Sequence, residues 1–279
     1  MKILVTGAAG MIGSYLTRTL IDAGYEIVGV DRRTCIPMKG MTSVVADLGN
    51  AEEIKKVVFE NKVDRIIHLA ALAHTAGEND LSYEKYYHVN VECATNVFLA
   101  AGNCPVLFIS TVDVYGFTKG VVTAETELNP ITSYGKTKAL AEEKCKSICK
   151  TYSIYRFSPV YTRDVKRDIQ KRYYLKYPNW AYVICKGTEY EVLNIVEAVR
   201  RMVEWCGMQP QNETMVIKDK DRMNTADYIR REKTEGRAKN VLWFPRWIVV
   251  CGFFVIKGIT GKNKYTYLLN KAVNPLRSE

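Results

Sequence analysis

Lys2-Ile3-Leu4-Val5-Thr6-Gly7-Ala8-Ala9-Gly10-Met11-Ile12-Gly13 is the stretch whose reading decides the fold of this 279-residue chain. Residues 2–6 form a short apolar run suited to a buried strand, and an amphipathic segment through Ala23 follows the glycines. Glycines spaced G-x-x-G-x-x-G between a strand and a helix permit a tight turn, a close backbone approach to a pyrophosphate, and close packing of the helix. The helix N-terminus then turns free N–H groups toward the phosphates. Gly7, Gly10 and Gly13 therefore predict a dinucleotide cradle. Asp31, at the end of a second strand (26–31) and 18 residues after Gly13, stands where a carboxylate can accept hydrogen bonds from ribose hydroxyls. Arg32 and Arg33 leave NADP open, because an arginine here can receive a 2′-phosphate. The Asp31 carboxylate would repel that phosphate, so the expected cofactor is NAD.

The pattern repeats outward from this unit. Residues 44–48 read as a third strand whose end, at Asp47 and Leu48, could meet adenine, and 51–61 as a helix. Further strands are expected at 65–71, 105–110 and 153–157, with helices at 83–101 and 132–150 between them. Strands alternating with helices at this spacing imply right-handed crossovers and a parallel sheet covered on both faces. The expected fold is a Rossmann-type doubly wound α/β sheet.

Within the 132–150 helix, Tyr134 and Lys138 stand at i and i+4, one turn apart on one face. A tyrosine titrates near ~10 when unperturbed, and an adjacent ammonium favours the phenolate, which makes Tyr134 a candidate acid/base. The spacing alone is equally met by an ordinary helix face with one aromatic and one solvated lysine.

Composition narrows the classes. The apolar and charged fractions, 47% and 25%, are those of a globular protein. Met1 leads straight into the strand without a signal-peptide pattern, so a cytoplasmic location is expected. The eight cysteines show no C-x-x-C and no zinc spacing with the three histidines, so they read as reduced thiols and no metal is expected. The net charge of +10 is concentrated at the end: residues 218–279 carry 14 Lys/Arg against 6 Asp/Glu. No nucleic-acid recognition module accompanies it, so no specific nucleic-acid partner is expected.

Taken together, Gly7, Gly10 and Gly13, Asp31, Asp47-Leu48, His68-Leu69-Ala70-Ala71, Asn90-Val91, Ser110-Thr111, Tyr134 with Lys138, and Arg156-Phe157-Ser158-Pro159-Val160-Tyr161 resemble an extended short-chain dehydrogenase/reductase. The resemblance is to the nucleotide-sugar epimerase/dehydratase type and extends over residues 1–161. It implies that Tyr134 exchanges a proton with a sugar hydroxyl while a hydride moves to or from the nicotinamide. Lys138 would lower the tyrosine's pKa and hold the nicotinamide ribose, and Thr111 would bond the same substrate oxygen. It further implies cofactor contacts at Met11, Ile12, Arg32, Leu69, Ala70, Ala71, Asn90 and Phe157, a nucleotide-diphosphate sugar as substrate, and a homodimer. Dehydratases of this type carry Asp-Glu directly after the threonine. Here the pair is Val112-Asp113, and a valine cannot protonate a leaving hydroxyl, which favours 4-epimerisation or simple oxidation/reduction. Asp113 either takes part or merely braces its loop. A catalytically silent dinucleotide sensor on the same fold is a further alternative.

Beyond residue 161 the motifs thin, and 162–279 is expected to form a small α/β substrate lobe, some segments of which could interleave with the first domain. Residues 164–176 look helical and carry Lys166, Arg167, Lys171 and Arg172, facing either a diphosphate or solvent. Strands are expected at 182–185, 189–193 and 214–217 and a helix at 195–206. The segment 241–271 is basic and apolar. Its run from Ile248 to Ile256 is too short to span a bilayer. The expectation is a buried C-terminal helix. The alternative is an interfacial segment that makes peripheral membrane contact and serves an epimerase of lipid-diphosphate-linked sugars.

Overall fold

Side-chain alternation in β1 (Lys2–Thr6) builds the layers of the molecule: Leu4 enters one apolar cluster, Ile3 and Val5 the opposite one. The structure, a computed structural model, describes residues 1–73, 81–118, 120–162, 167–170, 172–175, 178–261 and 263–279. The chain continues through α1 (Met11–Asp22), β2 (Glu26–Asp31), β3 (Met41–Val45), α2 (Ala51–Glu60), β4 (Arg65–His68), α3 (Tyr83–Tyr87), a π-helical turn (His88–Glu92) and α4 (Cys93–Ala101). Next come β5 (Val106–Thr111), a 3₁₀ turn (Val112–Tyr115), β6 (Val121–Val122), α5 (Ser133–Ile148), β7 (Tyr152–Phe157), β8 (Val160–Tyr161) and α6 (Arg167–Gln170). The remainder comprises β9 (Ala181–Ile184), β10 (Glu189–Tyr190), β11 (Leu193–Asn194), α7 (Ile195–Gly207), β12 (Glu213–Ile217), β13 (Met223–Asn224), α8 (Thr225–Thr234), β14 (Val241–Phe244), α9 (Arg246–Thr260), α10 (Lys264–Val273) and β15 (Arg277–Ser278).

Seven strands form one parallel sheet in the order β12-β7-β5-β4-β1-β2-β3. Ile54 and Val57 of α2, Val97 and Phe98 of α4, and Ala141 and Cys145 of α5 cover one face. Leu16 and Leu20 of α1, with Met202 and Trp205 of α7, cover the other. This is the doubly wound Rossmann-type arrangement, and the strand order reverses direction beside β1, where the carboxyl ends open a crevice.

Several boundaries differ from the sequence expectation. The third strand is Met41–Val45 rather than 44–48: this edge strand pairs with β2 through polar residues that read as loop, and Asp47 already turns the chain by accepting a hydrogen bond from Gly49 N (3.0 Å). The fourth strand stops at His68, because Leu69 to Ala71 leave the sheet to border the crevice. The expected 83–101 helix contains a π turn at 88–92, which re-aims Asn90. In the 164–176 segment the described helix is Arg167–Gln170 only, and Lys166, Lys171 and His74 lie outside the described residues. The expected 189–193 strand is two short pieces. The strand near 214–217 joins the central sheet as β12 beside β7, with α7 packed behind it, instead of building the lobe. The lobe keeps its own cluster, with Tyr173, Ala181, Val183, Tyr190, Met223 and Ile229.

The largest departure is α9. Of its fifteen residues only Phe253 is buried, so the expectation of a buried C-terminal helix fails. Among the described residues no helix is long and apolar enough to cross a membrane.

Candidate active site

Because the central strands are parallel, the ends of β1, β2, β4 and β5 deliver Gly7, Asp31, Leu69 and Thr111 to one edge. The glycine turn is backbone packed on backbone. Gly7 has φ +71°, and a Cβ there would meet Ala70 N at 2.9 Å; a Cβ on Gly13 would meet Gly7 O at 2.2 Å. Gly10 caps α1 with no side-chain hydrogen bond, so Met11, Ile12 and Gly13 open the helix with no competing side-chain oxygen. Asp31 Oδ2 accepts from Ala9 N at 3.1 Å and Oδ1 from Arg33 N at 3.0 Å. The carboxylate thus couples the second strand to the glycine turn, at a half-buried position open to a ribose. Arg33, not Arg32, reaches back to the turn, donating to Ala9 O at 3.1 Å. Arg32 is exposed. Leu48 is buried, and its carbonyl accepts from Asn96. A tight turn without room for Cβ atoms, an uncapped helix start and a strand-end carboxylate fit a dinucleotide.

Across the crevice, Ala70 N donates to Thr6 Oγ1 (3.2 Å), which also meets His68 Nδ1 (2.7 Å). Asn90 is buried, and its amide is occupied. Oδ1 accepts from Leu72 N at 2.7 Å, and Nδ2 donates to Leu72 O and Thr137 Oγ1, both at 3.1 Å. Its role visible here is to tie the Leu69–Ala70–Ala71 wall to α5. Phe157 is likewise buried, paired with Thr111 across the β5–β7 ladder and packed in the core.

The Thr132 side chain caps α5, accepting from Gly135 N at 2.9 Å, and Gly135 lets the helix press on the 3₁₀ turn: a Cβ there would lie 2.7 Å from Asp113 O. Tyr134 is half-buried on the first turn, while Lys138 is buried with Nζ 4.0 Å above the Phe108 ring. Burial brings the Lys138 ammonium down to about 7, opposed by the Glu142 carboxylate one turn further on. His68 is pushed down to about 3, first by burial and then by Lys138, and is therefore neutral. Glu142 itself is gripped by Arg156, Nε to Oε1 at 3.1 Å and Nη2 to Oε2 at 2.7 Å, and by Ser110 Oγ at 2.5 Å. Arg156 also donates to Tyr115 Oη and Ala124 O, both at 2.8 Å. This buried network clamps α5, which carries Tyr134 and Lys138, to β5, which ends at Thr111, and to β7.

Thr111 Oγ1 accepts from Asp113 N at 3.2 Å. Asp113 meets two residues that sequence reasoning missed, Tyr267 Oη at 3.2 Å and Lys271 Nζ at 2.7 Å, both on α10. Their own i, i+4 spacing, repeating that of Tyr134 and Lys138, was the available signal. Burial and Asp113 together push the Tyr267 phenol up. Of the two readings of Asp113, the geometry displays the brace. A cavity beside it is lined by Val112, Asp113, Ser158, Arg172, Tyr190 and Lys271, among others. Ser158 Oγ is buried there without a hydrogen-bond partner among the described residues, and Arg172 stacks over Tyr190 at 4.5 Å.

Residues 3–173 match the model of the NAD dependent epimerase/dehydratase family. UDP-arabinose 4-epimerase 1 of Arabidopsis thaliana is 35% identical over 159 residues, 50% of this chain and 38% of that protein. UDP-glucose 4-epimerase of Bacillus subtilis is 34% identical over 161 residues, 51% of this chain and 46% of that protein. The match thus spans less than half the length of these relatives. Among solved structures, UDP-glucuronic acid 4-epimerase from Bacillus cereus in complex with NAD superposes with a TM-score of 0.71 at 24% identity, covering 88% of this chain and 89% of that one. The dTDP-glucose 4,6-dehydratase from Bacillus anthracis gives 0.69 at 18% identity, covering 88% and 84%. These superpositions establish the fold.

Proposed function

Because the chain belongs to the NAD dependent epimerase/dehydratase family, we propose that it is a nucleotide-sugar 4-epimerase working with NAD through a 4-keto sugar. The observation that carries this reading is the clamp of α5 onto the end of β5, with Lys138 buried one turn below Tyr134 and Thr111 at the strand end. Bound NAD supplies the hydride acceptor, and then the donor, at the sugar carbon. The protein's part is proton transfer and positioning. Tyr134 takes the proton of the sugar 4-hydroxyl and later returns it, while the Lys138 cation stabilises the phenolate between these steps. Thr111 orients the same oxygen.

The Gly7–Gly13 turn and the start of α1 bind the pyrophosphate, and Asp31 accepts from the adenosine ribose, disfavouring a 2′-phosphate. Met11, Ile12, Arg32, Asp47, Leu48, Leu69, Ala70 and Ala71 line the cofactor's path, with Asn90 and Phe157 as supports behind it. Arg172 and Ser158 offer a cation and a hydroxyl to the substrate. Val112 carries no acid and the Asp113 carboxylate is bonded to Lys271, so the pair after Thr111 lacks the dehydratase's acid for elimination of water.

The test is incubation of purified protein with UDP-hexoses. Interconversion of C4 epimers with no net change in NADH is expected, and Tyr134→Phe should lower turnover about a thousandfold while dinucleotide binding persists. Net NADH consumption or production would make it a reductase or dehydrogenase instead. Dinucleotide binding without turnover of any sugar would make it a sensor. A lipid-diphosphate-linked sugar is a second reading of the substrate, favoured by the exposed apolar helix α9 next to α10 at the cavity.

A further inference from the structure

Trp247, Ile248, Cys251, Phe254, Val255, Gly258 and Ile259 recur along α9 at intervals of one, three and four, which puts them on one stripe of the helix. All seven are exposed, Trp247 at 67%, Phe254 at 62% and Ile259 at 79%. Trp243, on the strand leading into the helix, is exposed as well. An apolar stripe of four turns facing outward is larger than the scattered apolar residues of an ordinary surface and marks a contact face.

Its surroundings identify the contact. Residues 236–278 contain eight Lys/Arg and no Asp or Glu. Arg237, Lys271 and Arg277 are paired with Glu232, Asp113 and Glu189, whereas Lys239, Arg246 and Lys257 have no carboxylate partner among the described residues. Tryptophans and cations around an apolar stripe fit the headgroup region of an anionic bilayer. A second copy of this chain would bring the same cations face to face in a two-fold contact, which opposes self-association through this surface. Fifteen residues amount to about 22 Å of helix, less than the ~30 Å hydrocarbon core, so the helix lies along the surface.

We infer that the outer face of α9 docks the protein on an anionic lipid bilayer. The helix is not a loose appendage. Lys257 lies over Phe253 and Phe117 (5.5 and 5.9 Å), and Phe117 meets the Tyr267 ring at 5.6 Å. Arg246 donates to Val273 O at 3.2 Å, which ties the start of α9 to the end of α10. Since α10 supplies Tyr267 and Lys271 to Asp113, docking through α9 brings the cavity beside Asp113 to the lipid surface. A substrate whose diphosphate is anchored in the bilayer then reaches the cleft without leaving it.

The experiment is co-sedimentation of the full chain at low salt with phosphatidylcholine vesicles, with and without phosphatidylglycerol. Tryptophan emission is read in parallel. Expected are binding to the anionic vesicles, a blue-shifted emission, and weak binding to the neutral ones. The variant Trp247→Ser/Phe254→Ser/Ile259→Ser should bind about tenfold or more weakly, with melting temperature and UDP-hexose turnover unchanged. A second variant, Lys239→Gln/Arg246→Gln, should weaken binding about fivefold per charge removed. Failure to bind anionic vesicles at low salt overturns the inference, as does undiminished binding of the serine variant. Self-association abolished by the serine variant, without vesicle binding, would assign the face to a second copy. Vesicle binding and turnover are read separately, so the inference stands or falls independently of the catalytic reading.

Discussion

Two helices of nearly equal length, α7 (Ile195–Gly207) and α9 (Arg246–Thr260), dispose of their apolar residues in opposite ways. α7 buries Ile195, Ala198, Val199, Met202, Trp205 and Cys206 against the sheet, and sets Glu197, Arg200, Arg201 and Glu204 on the solvent side in mutual ion pairs. α9 buries only Phe253. The difference teaches that apolar content does not decide which way a helix faces. α7 carries a charged stripe opposite its apolar one, although Val196 is exposed beside it, and that stripe keeps the other side inward. α9 offers only Arg246, Lys257 and Thr260 as polar residues, and on its inner side Lys257 lies over Phe253 and over Phe117, whose ring meets Tyr267 of α10.

The contrast can be broken most directly at Trp205. Its ring is buried under Arg65, 5.4 Å above, and its Nε1 donates to Ser153 Oγ at 2.9 Å. Trp205→Ala leaves a cavity and removes one of the three hydrogen-bond partners of the Ser153 hydroxyl, and should cost about 4 kcal/mol in urea unfolding. A loss below about 1 kcal/mol would mean that α7 is not the anchored helix of the pair.

A second test concerns polar groups held in the core, the counterpart of apolar groups held in solvent. Glu142→Gln removes the charge that faces Arg156 at 2.7 Å, leaving an uncompensated buried guanidinium, and should cost about 3 kcal/mol. Glu142 also supports the Lys138 ammonium, so the same substitution lowers that lysine's pKa further and should depress turnover even where the protein remains folded. A variant with wild-type stability and turnover would remove the clamp from the account of the site.

These two cases explain what could be read from the sequence. Gly7, Gly10, Gly13 and Asp31 were legible because each answers a local demand, a turn without room for a Cβ or a carboxylate at a strand end. The parallel sheet followed from the alternation of strands and helices. Glu142 was not legible: on a helix it resembles any solvated acid, and only the β7 strand, which brings Arg156 against it, makes it a core residue. Lys271 and Tyr267 lie more than 150 residues from Asp113 in the chain, so their pairing is purely tertiary. The direction of α9 was not legible, because an apolar helix begun at Pro245 is compatible both with packing on the lobe and with an outward stripe, and only its tertiary contacts show that Phe253 alone is buried.

His68 gives a smaller effect with a defined sign. Its folded-state pKa of about 3 lies below the ordinary 6.5, so between these values the unfolded chain binds a proton that the folded chain refuses. That contribution is fully present above pH 6.5 and is lost as the pH falls from about 6.5 toward 3. By pH 5.5 about 1.3 kcal/mol of it has been lost relative to pH 7. Urea midpoints of the wild type and His68→Gln, compared at pH 7 and 5.5, should show a shallower decline in the variant. Parallel declines would mean that His68 accepts a proton in the folded protein and is not buried as a neutral ring.

The smallest effect is the most diagnostic for α9. Trp247→Ser replaces the same residue type as Trp205→Ala, but on a surface where the ring is 67% exposed, so little apolar contact is lost. Its effect on urea unfolding should stay within about 0.5 kcal/mol. A tryptophan that costs about 4 kcal/mol on one helix and almost nothing on the other would locate the value of α9's apolar face outside the folding of the single chain. A cost at Trp247 approaching that at Trp205 would instead mean that the ring packs against the chain in solution, and the outward stripe would lose its strongest member.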